Sequence, residues 1–296
     1  MGYFRRALDS LYHRNGTVVM GVLNATPDSF FDGGRWLGDE ALLHVDELIA
    51  GGAGIIDVGG ESTRPGAADI SASEQIERIA PVLNHLAKHH QVLVTVDTTN
   101  SNVAEFALSH GAAAINDVSC LADPQLARVT AQHSAGLILM HSRGNMSQMS
   151  GFSQLPEGAY DDVVADVKRE WCASRSIAVA AGLSTQDIAF DPGIGFWKSA
   201  RHSFELLQRM GEFCELDAPI VIGASRKSFL TLIGESPPEQ RLGGSIAACL
   251  YAAEHGVHVV RVHDVQATRQ ALDLSRALQE PIGSLQSCSE PRTTAC

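Results

Sequence analysis

No stretch of the 296-residue chain approaches the roughly 20 consecutive apolar residues that a membrane-crossing helix needs. The opening Met1-Gly2-Tyr3-Phe4-Arg5-Arg6 also lacks the apolar core of a signal peptide. Positive charge is scarce: 22 Lys and Arg stand against 34 Asp and Glu, a formal net charge of −12, and no basic run occurs. That balance argues against nucleic acid as a partner, although local arginines and lysines can still receive an anionic substrate. The six cysteines (120, 172, 214, 249, 288 and 296) form no CxxC pair and show no zinc-ligand spacing with histidine. They read as reduced thiols in a cytoplasmic protein with no membrane association. No Ser/His/Asp or Cys/His arrangement suggests a covalent nucleophile, and no dinucleotide fingerprint follows the first apolar run.

Buried-strand patterns alternate with helical ones. Val18 to Leu23 is nearly continuous in apolar residues and ends on Asn24, the signature of a strand covered on both faces. Further strands are predicted over 54–58, 92–96, 113–115, 137–140, 188–190, 220–222 and 257–260. Helical stripes follow at 39–51, 71–88, 102–110, 124–133, 160–181, 203–213, 238–255 and 266–278. Ser71 or Ser73 can cap the second of these, with Glu74 completing a capping-box pattern.

Eight uninterrupted βα units with no second core point to an α/β fold, a single (β/α)8 TIM barrel, rather than an open doubly wound sheet. Residues 1–16 read as an N-terminal extension, 17–280 as the barrel, and the polar 281–296 as a disordered tail.

In such a barrel, chemistry gathers where the strands end. Those ends carry Asn24, Asp57 with Thr63 and Arg64, Asp97, Asn116, His141 with Arg143, Asp191, Lys227, and Arg261 with His263. Any one of them alone could simply cap the next helix. Two subsites follow from their chemistry. Asp97, Asn116, Asp191 and Lys227 suit a flat heterocycle whose ring N–H and exocyclic amine face a carboxylate, with a carbonyl oxygen for the lysine. Asn24, Thr63, Arg64, Arg261 and His263 suit a diphosphate, with Asn24 available to Mg2+. Glycines at 59, 60, 193, 195 and 223 let backbone approach a ligand.

The motifs in order are Leu23 to Phe30, Asp57 to Gly66, Val96-Asp97-Thr98, Ile115 to Val118, Met140 to Gly144, Asp191 to Phe196, Ser225 to Ser228 and Arg261 to Asp264. Taken together, the chain from Val18 to Leu278 resembles the dihydropteroate synthase family. The resemblance implies a TIM-barrel transferase of folate biosynthesis. Such an enzyme joins 6-hydroxymethyl-7,8-dihydropterin diphosphate to 4-aminobenzoate, with Mg2+ as cofactor, as a homodimer and a sulfonamide target. It implies Asp97, Lys227 and Arg261 as the catalytic set. The pterin would lie against Asp97, Asn116, Met140, Asp191, Phe196, Gly223, Lys227 and Arg261. Asn24, Thr63, Arg261 and His263 would receive the diphosphate, with Asn24 as the metal ligand. Phe30, Thr63, Arg64, Pro65, Lys227 and Ser228 would line the aminobenzoate site, under lids formed by 24–38 and 61–70.

Four positions depart from the family pattern: Phe31 for a small serine, Cys120 and Trp197 for glycines, and no proline after Arg143-Gly144. Other readings stay open: a catalytically weak pterin-binding paralogue, a pterin-dependent methyltransferase barrel, or an isomerase or aldolase barrel using Lys227 as a Schiff base. The Ser225-Arg226-Lys227-Ser228 and Ser62-Thr63-Arg64-Pro65 motifs favour the synthase.

Overall fold

In the computed structural model, which describes residues 2–25, 39–62, 70–144, 149 and 151–279, eight parallel strands form one sheet. They are β1 (Val18–Asn24), β2 (Ile55–Gly59), β3 (Leu93–Asp97), β4 (Ala114–Asp117), β5 (Gly136–Met140), β6 (Ile188–Asp191), β7 (Val221–Ile222) and β8 (Val259–Val262). The order is β6-β5-β4-β3-β2-β1-β8-β7. The two edge strands meet through a parallel bridge between Phe190 and Ile220 and a Phe190 N–H to Pro219 carbonyl bond of 2.8 Å. The strands thus form a nearly closed barrel.

Helix α1 (Tyr3–Asn15) precedes the strands. Helices α2 (Asp39–Ala50), α3 (Ala72–His89), α4 (Ser101–Ser109), α5 (Pro124–Gln132), α6 (Val163–Ala180), α7 (Ala200–Gln208), α8 (Leu242–Glu254) and α9 (Val265–Gln279) follow them in turn. The large core, from Val19, Leu23, Ile56 and Val58 out to Ile79, Trp171 and Phe213, lies between strands and helices. No helix among the described residues is long and apolar enough to cross a membrane. Cys120, Cys172, Cys214 and Cys249 are free thiols.

Local chemistry explains where the elements depart from their predicted bounds. Ser71 is the cap of α3, accepting the Glu74 N–H at 3.2 Å, while the Glu74 carboxylate turns to Arg78 instead of closing the box. Asp162 accepts from Val164 and Ala165, so α6 starts at Val163 and not Tyr160. Ser199 and His202 cap each other reciprocally and start α7 three residues earlier than predicted, with 3-10 turns replacing its expected end. The last strand is displaced from 257–260 to Val259–Val262, because β1 pairs Val18 with Val259 and Met20 with Arg261.

The inward-facing positions divide the barrel interior by height. Toward the strand starts they are apolar: Val18, Met20, Ile55, Leu93, Ala114, Ile138, Ala189, Val221 and Val259 pack as one cluster. Helix α1 adds Phe4 and Leu8 to that cluster and closes the bottom of the barrel. The Phe4 ring lies so close to Gly136 that any side chain there would overlap it. The backbone N–H of Gly2 donates to both oxygens of Asp187, at 2.7 and 2.8 Å, just before β6. One strand repeat further up, with side chains alternating faces, the same inward rows carry Asp57, Thr95, Asn116, Met140, Asp191, Gly223 and Arg261. The interior changes from hydrocarbon to charge within one layer.

Candidate active site

Asp57 occupies the middle of β2, fully buried, and three groups converge on its carboxylate. Thr95 Oγ1 donates to Oδ1 at 2.5 Å, Asn116 Nδ2 to Oδ2 at 3.0 Å, and Arg261 Nε to Oδ2 at 2.6 Å. The other arm of Arg261, Nη2, reaches Asp97 Oδ2 at 2.8 Å. One guanidinium therefore spans two buried carboxylates from neighbouring strands, a use of arginine's planar fork that a lysine could not reproduce. Asp97 Oδ1 remains buried without a hydrogen-bond partner. Burial pushes the Asp97 carboxyl up to about 7 against the opposing pull of Arg261.

Lys227, just after β7, brings a second cation to the same rim. Its Nζ donates to the Ile194 carbonyl at 2.5 Å and lies 4.4 Å from the centre of the Phe196 ring. Burial pushes this lysine down to about 7, with Asp191 opposing. Asp191 itself is raised by burial, with Lys227 and the Gly193 N–H, which donates to it at 2.7 Å, working the other way. Gly223 sits between the two cations: a Cβ there would lie 3.6 Å from Lys227 Nζ and 4.0 Å from Arg261 Cβ. Met140 and Phe196 form an apolar wall with Val118 and Met149, against which Phe152 and Trp197 pack.

At the rim, Ser225 Oγ and His263 Nδ1 are 3.1 Å apart, and Arg226 clasps Asp264 with two bonds. Ser228 Oγ bonds the Phe152 carbonyl and Ser153 Oγ at 3.1 and 3.0 Å. Asn24 ends β1 beside Gly59, and its Oδ1 would stand only 3.3 Å from a Cβ at that position. The absence of a side chain at Gly59 leaves that amide oxygen unobstructed from this direction. A single amide oxygen suits Mg2+, which retains several waters and takes most of its remaining ligands from substrate phosphates.

The structure thus brings together Asp97, Asn116 and Arg261 around Asp57, and Lys227, Asp191, Gly223, Met140 and Phe196 beside them. Phe30, Phe31, Thr63, Arg64 and Pro65 lie outside the described residues, as does most of the chain in both expected lids. Asp57, read from sequence as one strand end among eight and given no part in either subsite, is the hub of the polar layer. Its signal was available: a single carboxylate within the apolar run Ile55 to Val58.

A second buried network, with no signal in the sequence pattern, lies beside this layer. Lys198 is fully enclosed and donates to His141 Nδ1 at 3.0 Å and to the Phe196 carbonyl at 3.0 Å. His141 Nε2 lies 2.9 Å from Glu170, which Arg143 also holds through two nitrogens. Burial and the charge of Lys198 push His141 down to about 4, so the ring is neutral: its Nε2–H donates a hydrogen bond to Glu170, and Nδ1 accepts from the lysine. Lys198 is itself pushed down to about 7 by burial. This network ties the end of β5 to the loop after β6, the two segments that carry Met140 and Phe196. Trp197 and Cys120, both standing where glycine was expected, have φ of 49° and 59°, in the left-handed region.

A family model described as pterin binding enzyme matches residues 20–263. Dihydropteroate synthase of Escherichia coli (strain K12) is 40% identical over 260 residues, covering 88% of this chain and 90% of that one. Among solved structures, Yersinia pestis dihydropteroate synthase in a sulfonamide drug complex superposes with a TM-score of 0.83 at 38% identity, covering 89% of this chain and 94% of the other. The Xanthomonas albilineans dihydropteroate synthase with 4-aminobenzoic acid gives 0.81 at 39% identity, covering 89% and 93%. The polar layer built on Asp57, Asp97 and Arg261 therefore sits in a barrel whose relatives share nearly its whole length, and the chain belongs to the dihydropteroate synthase family of pterin-binding enzymes.

Proposed function

We propose that this chain condenses 6-hydroxymethyl-7,8-dihydropterin diphosphate with 4-aminobenzoate, giving 7,8-dihydropteroate and diphosphate, and that the polar layer of the barrel is where it does so. The observation that carries the assignment of residues is the unpartnered Oδ1 of Asp97, in a cup with Asn116, Asp191 and Lys227. A buried carboxylate oxygen without a donor is costly to leave unmet. A pterin meets it with the N–H pair of its amino-pyrimidine edge.

In this reading Asp97 and Asn116 hold that edge, and Lys227 donates to the ring carbonyl oxygen. Asp191 keeps the lysine protonated, and Met140 and Phe196 cover the ring faces. Gly223 leaves room for the plane of the ring between Lys227 and Arg261. Arg261, fixed by Asp57 and Asp97, presents its charge at the strand ends, where with Asn24, Thr63 and His263 it balances the departing diphosphate. Asn24 would hold Mg2+, which when bound neutralises charge on the leaving group.

The carbon–oxygen bond to diphosphate breaks first, its electron pair leaving with the phosphate oxygen. The electron-rich dihydropterin spreads the resulting positive charge. The aromatic amine then gives its lone pair to the new carbon–nitrogen bond and afterwards loses a proton. The chain supplies no nucleophile of its own. Its work is to orient both substrates, to stabilise charge and to exclude water, with Phe30, Thr63, Arg64, Pro65, Lys227 and Ser228 shaping the aminobenzoate site. Mg2+ dependence, a cytoplasmic location and assembly as a homodimer belong to the same proposal; light scattering of the purified chain tests the last.

The test is steady-state turnover with both substrates. Asp97→Asn and Lys227→Ala are each expected to lower kcat/KM by about 10³-fold, the scale of losing a charged group that acts on the reacting system, with circular dichroism unchanged. Near-normal kcat/KM in either variant would overturn the assignment. A wild-type chain that binds pterin yet turns over negligibly would favour the weak-paralogue reading.

A further inference from the structure

The surface shared by α2 and α3 carries a group of side chains that the reaction does not use. Asp46 lies in the second half of α2, His85 in the last turns of α3, and His90 immediately beyond that helix. Nε2 of His85 and Nε2 of His90 each stand 2.7 Å from the same atom, Asp46 Oδ1. One ligand atom from each of the three residues lies within 4.8 Å of the others, and no other such trio of His, Cys, Asp or Glu occurs among the described residues. The histidine side chains are 18% and 21% exposed and the aspartate 43%, so the imidazoles are packed and the carboxylate is the more solvent-exposed member. The His89 ring packs on His85 with centroids 4.8 Å apart, which helps to fix the orientation of that imidazole.

Two imidazole nitrogens and one carboxylate oxygen are a borderline-soft donor set. Mg2+ and Ca2+ prefer oxygen donors, whereas Zn2+, Co2+, Ni2+ and Cu2+ take this combination. Without a metal, the two imidazoles share one oxygen as hydrogen-bond donors, and that bonding holds all three ligands facing one point. In a tetrahedral site with bonds of about 2.0–2.1 Å, ligand atoms stand about 3.3 Å apart. The two contacts would therefore open by about 0.6 Å as an ion replaces the two protons.

We propose that Asp46, His85 and His90 form a binding site for a divalent transition-metal ion of the zinc type, with water completing the coordination. The ion would tie α2 to α3 near the helix ends that lead into β2 and β3. That end of the barrel is opposite the one where the strands deliver Asp97 and Arg261. Its effect is accordingly on stability and not on turnover.

The full chain, stripped with a chelator that is then removed, is titrated with Zn2+ by calorimetry and with Co2+ by visible absorption. The expected result is one tightly bound ion per chain, with cobalt d–d bands and no thiolate-to-cobalt charge-transfer band. Asp46→Asn and His90→Gln are each expected to weaken binding tenfold or more, and His85→Gln with His90→Gln to abolish it. Zn2+ should raise the Tm of the wild type but not of the double variant, and kcat should be the same in all four proteins. Equal binding by the wild type and the double variant overturns the proposal, as does a thiolate charge-transfer band. If a variant fails to fold in chelator, the cobalt spectrum of the wild type decides, and absent d–d bands refute the site.

Discussion

Replacing Asp57 with asparagine changes one oxygen to an amide in a position with no access to solvent. The carboxylate receives Thr95 Oγ1, Asn116 Nδ2 and Arg261 Nε at 2.5, 3.0 and 2.6 Å. An asparagine keeps one acceptor oxygen, and its NH2 group must face at least one of these donors. Hydrogen bonds to a charged group contribute about 1.5–3 kcal/mol each, and removing one member of a buried ion pair costs about 3–5 kcal/mol. Asp97 still holds the other arm of Arg261, so we expect the lower part of that range, about 3 kcal/mol, in urea-induced unfolding. With Nε released, the guanidinium loses its fixed orientation, and kcat should fall by more than tenfold while the KM for 4-aminobenzoate changes little. A cycle with Thr95→Val tests the geometry further, because the two losses should fall short of additive. Unfolding within about 1 kcal/mol of wild type, together with kcat/KM within threefold, would refute the idea that Asp57 orients Arg261.

In the proposed roles Asp97 acts ionised, as acceptor for the pterin's N–H pair, and Lys227 acts as a charged donor. With both displaced to about 7, kcat/KM should fall on either side of a maximum near neutrality. Lys227→Arg should remove the alkaline limb, and a flat profile in the wild type would count against both roles. Gly136→Ala forces a methyl group into the Phe4 ring and should lower stability by about 1–3 kcal/mol; Phe4→Leu should recover part of this in a urea titration. Lys198, pushed down to about 7 by burial, is protonated in both the folded and unfolded states below that pH. Between about 7 and the ordinary lysine value of 10.5 only the unfolded chain holds the proton, so stability gains with rising pH across that window. Lys198→Met should flatten the rise of Tm with pH there, leaving the part due to Lys227.

The strands were legible because they are buried on both faces: their apolar runs stop where a polar residue reaches the rim, as at Asn24, Asp97 and Asp191. That reasoning sets Arg261 just beyond its strand, whereas it lies inside β8, and it gives Asp57, already within its predicted strand, no role. A sequence read one strand at a time has no register, and it is the pairing of Met20 with Arg261 and of Val22 with Asp57 that puts both in the charged layer. Lys198 escaped notice for a related reason. A lysine in a loop reads as solvated until His141 and the Phe196 carbonyl, from different segments, are seen to close over it. Residues 1–16 read from sequence only as an extension, although they hold helix α1. Its apolar positions, Phe4, Leu8, Leu11 and Tyr12, fall on one face but are diluted by Arg5, Arg6 and Asp9, so its burial shows only against the finished barrel.

The order of the chain and the order of assembly run in opposite directions at that helix. Helix α1 emerges before any strand, yet the surface it covers is contributed by all eight, and the Gly2 to Asp187 bonds join residues 185 apart in sequence. Until β8 closes beside β1, the apolar face carrying Phe4 and Leu8 has no finished place to dock. Contacts of such long separation form late, because the entropy of closing a long loop is lost before the contact offsets it. Helix α1 thus has the geometry of a latch: the surface it covers is whole only when the circle of strands is whole, so its contacts depend on every strand at once.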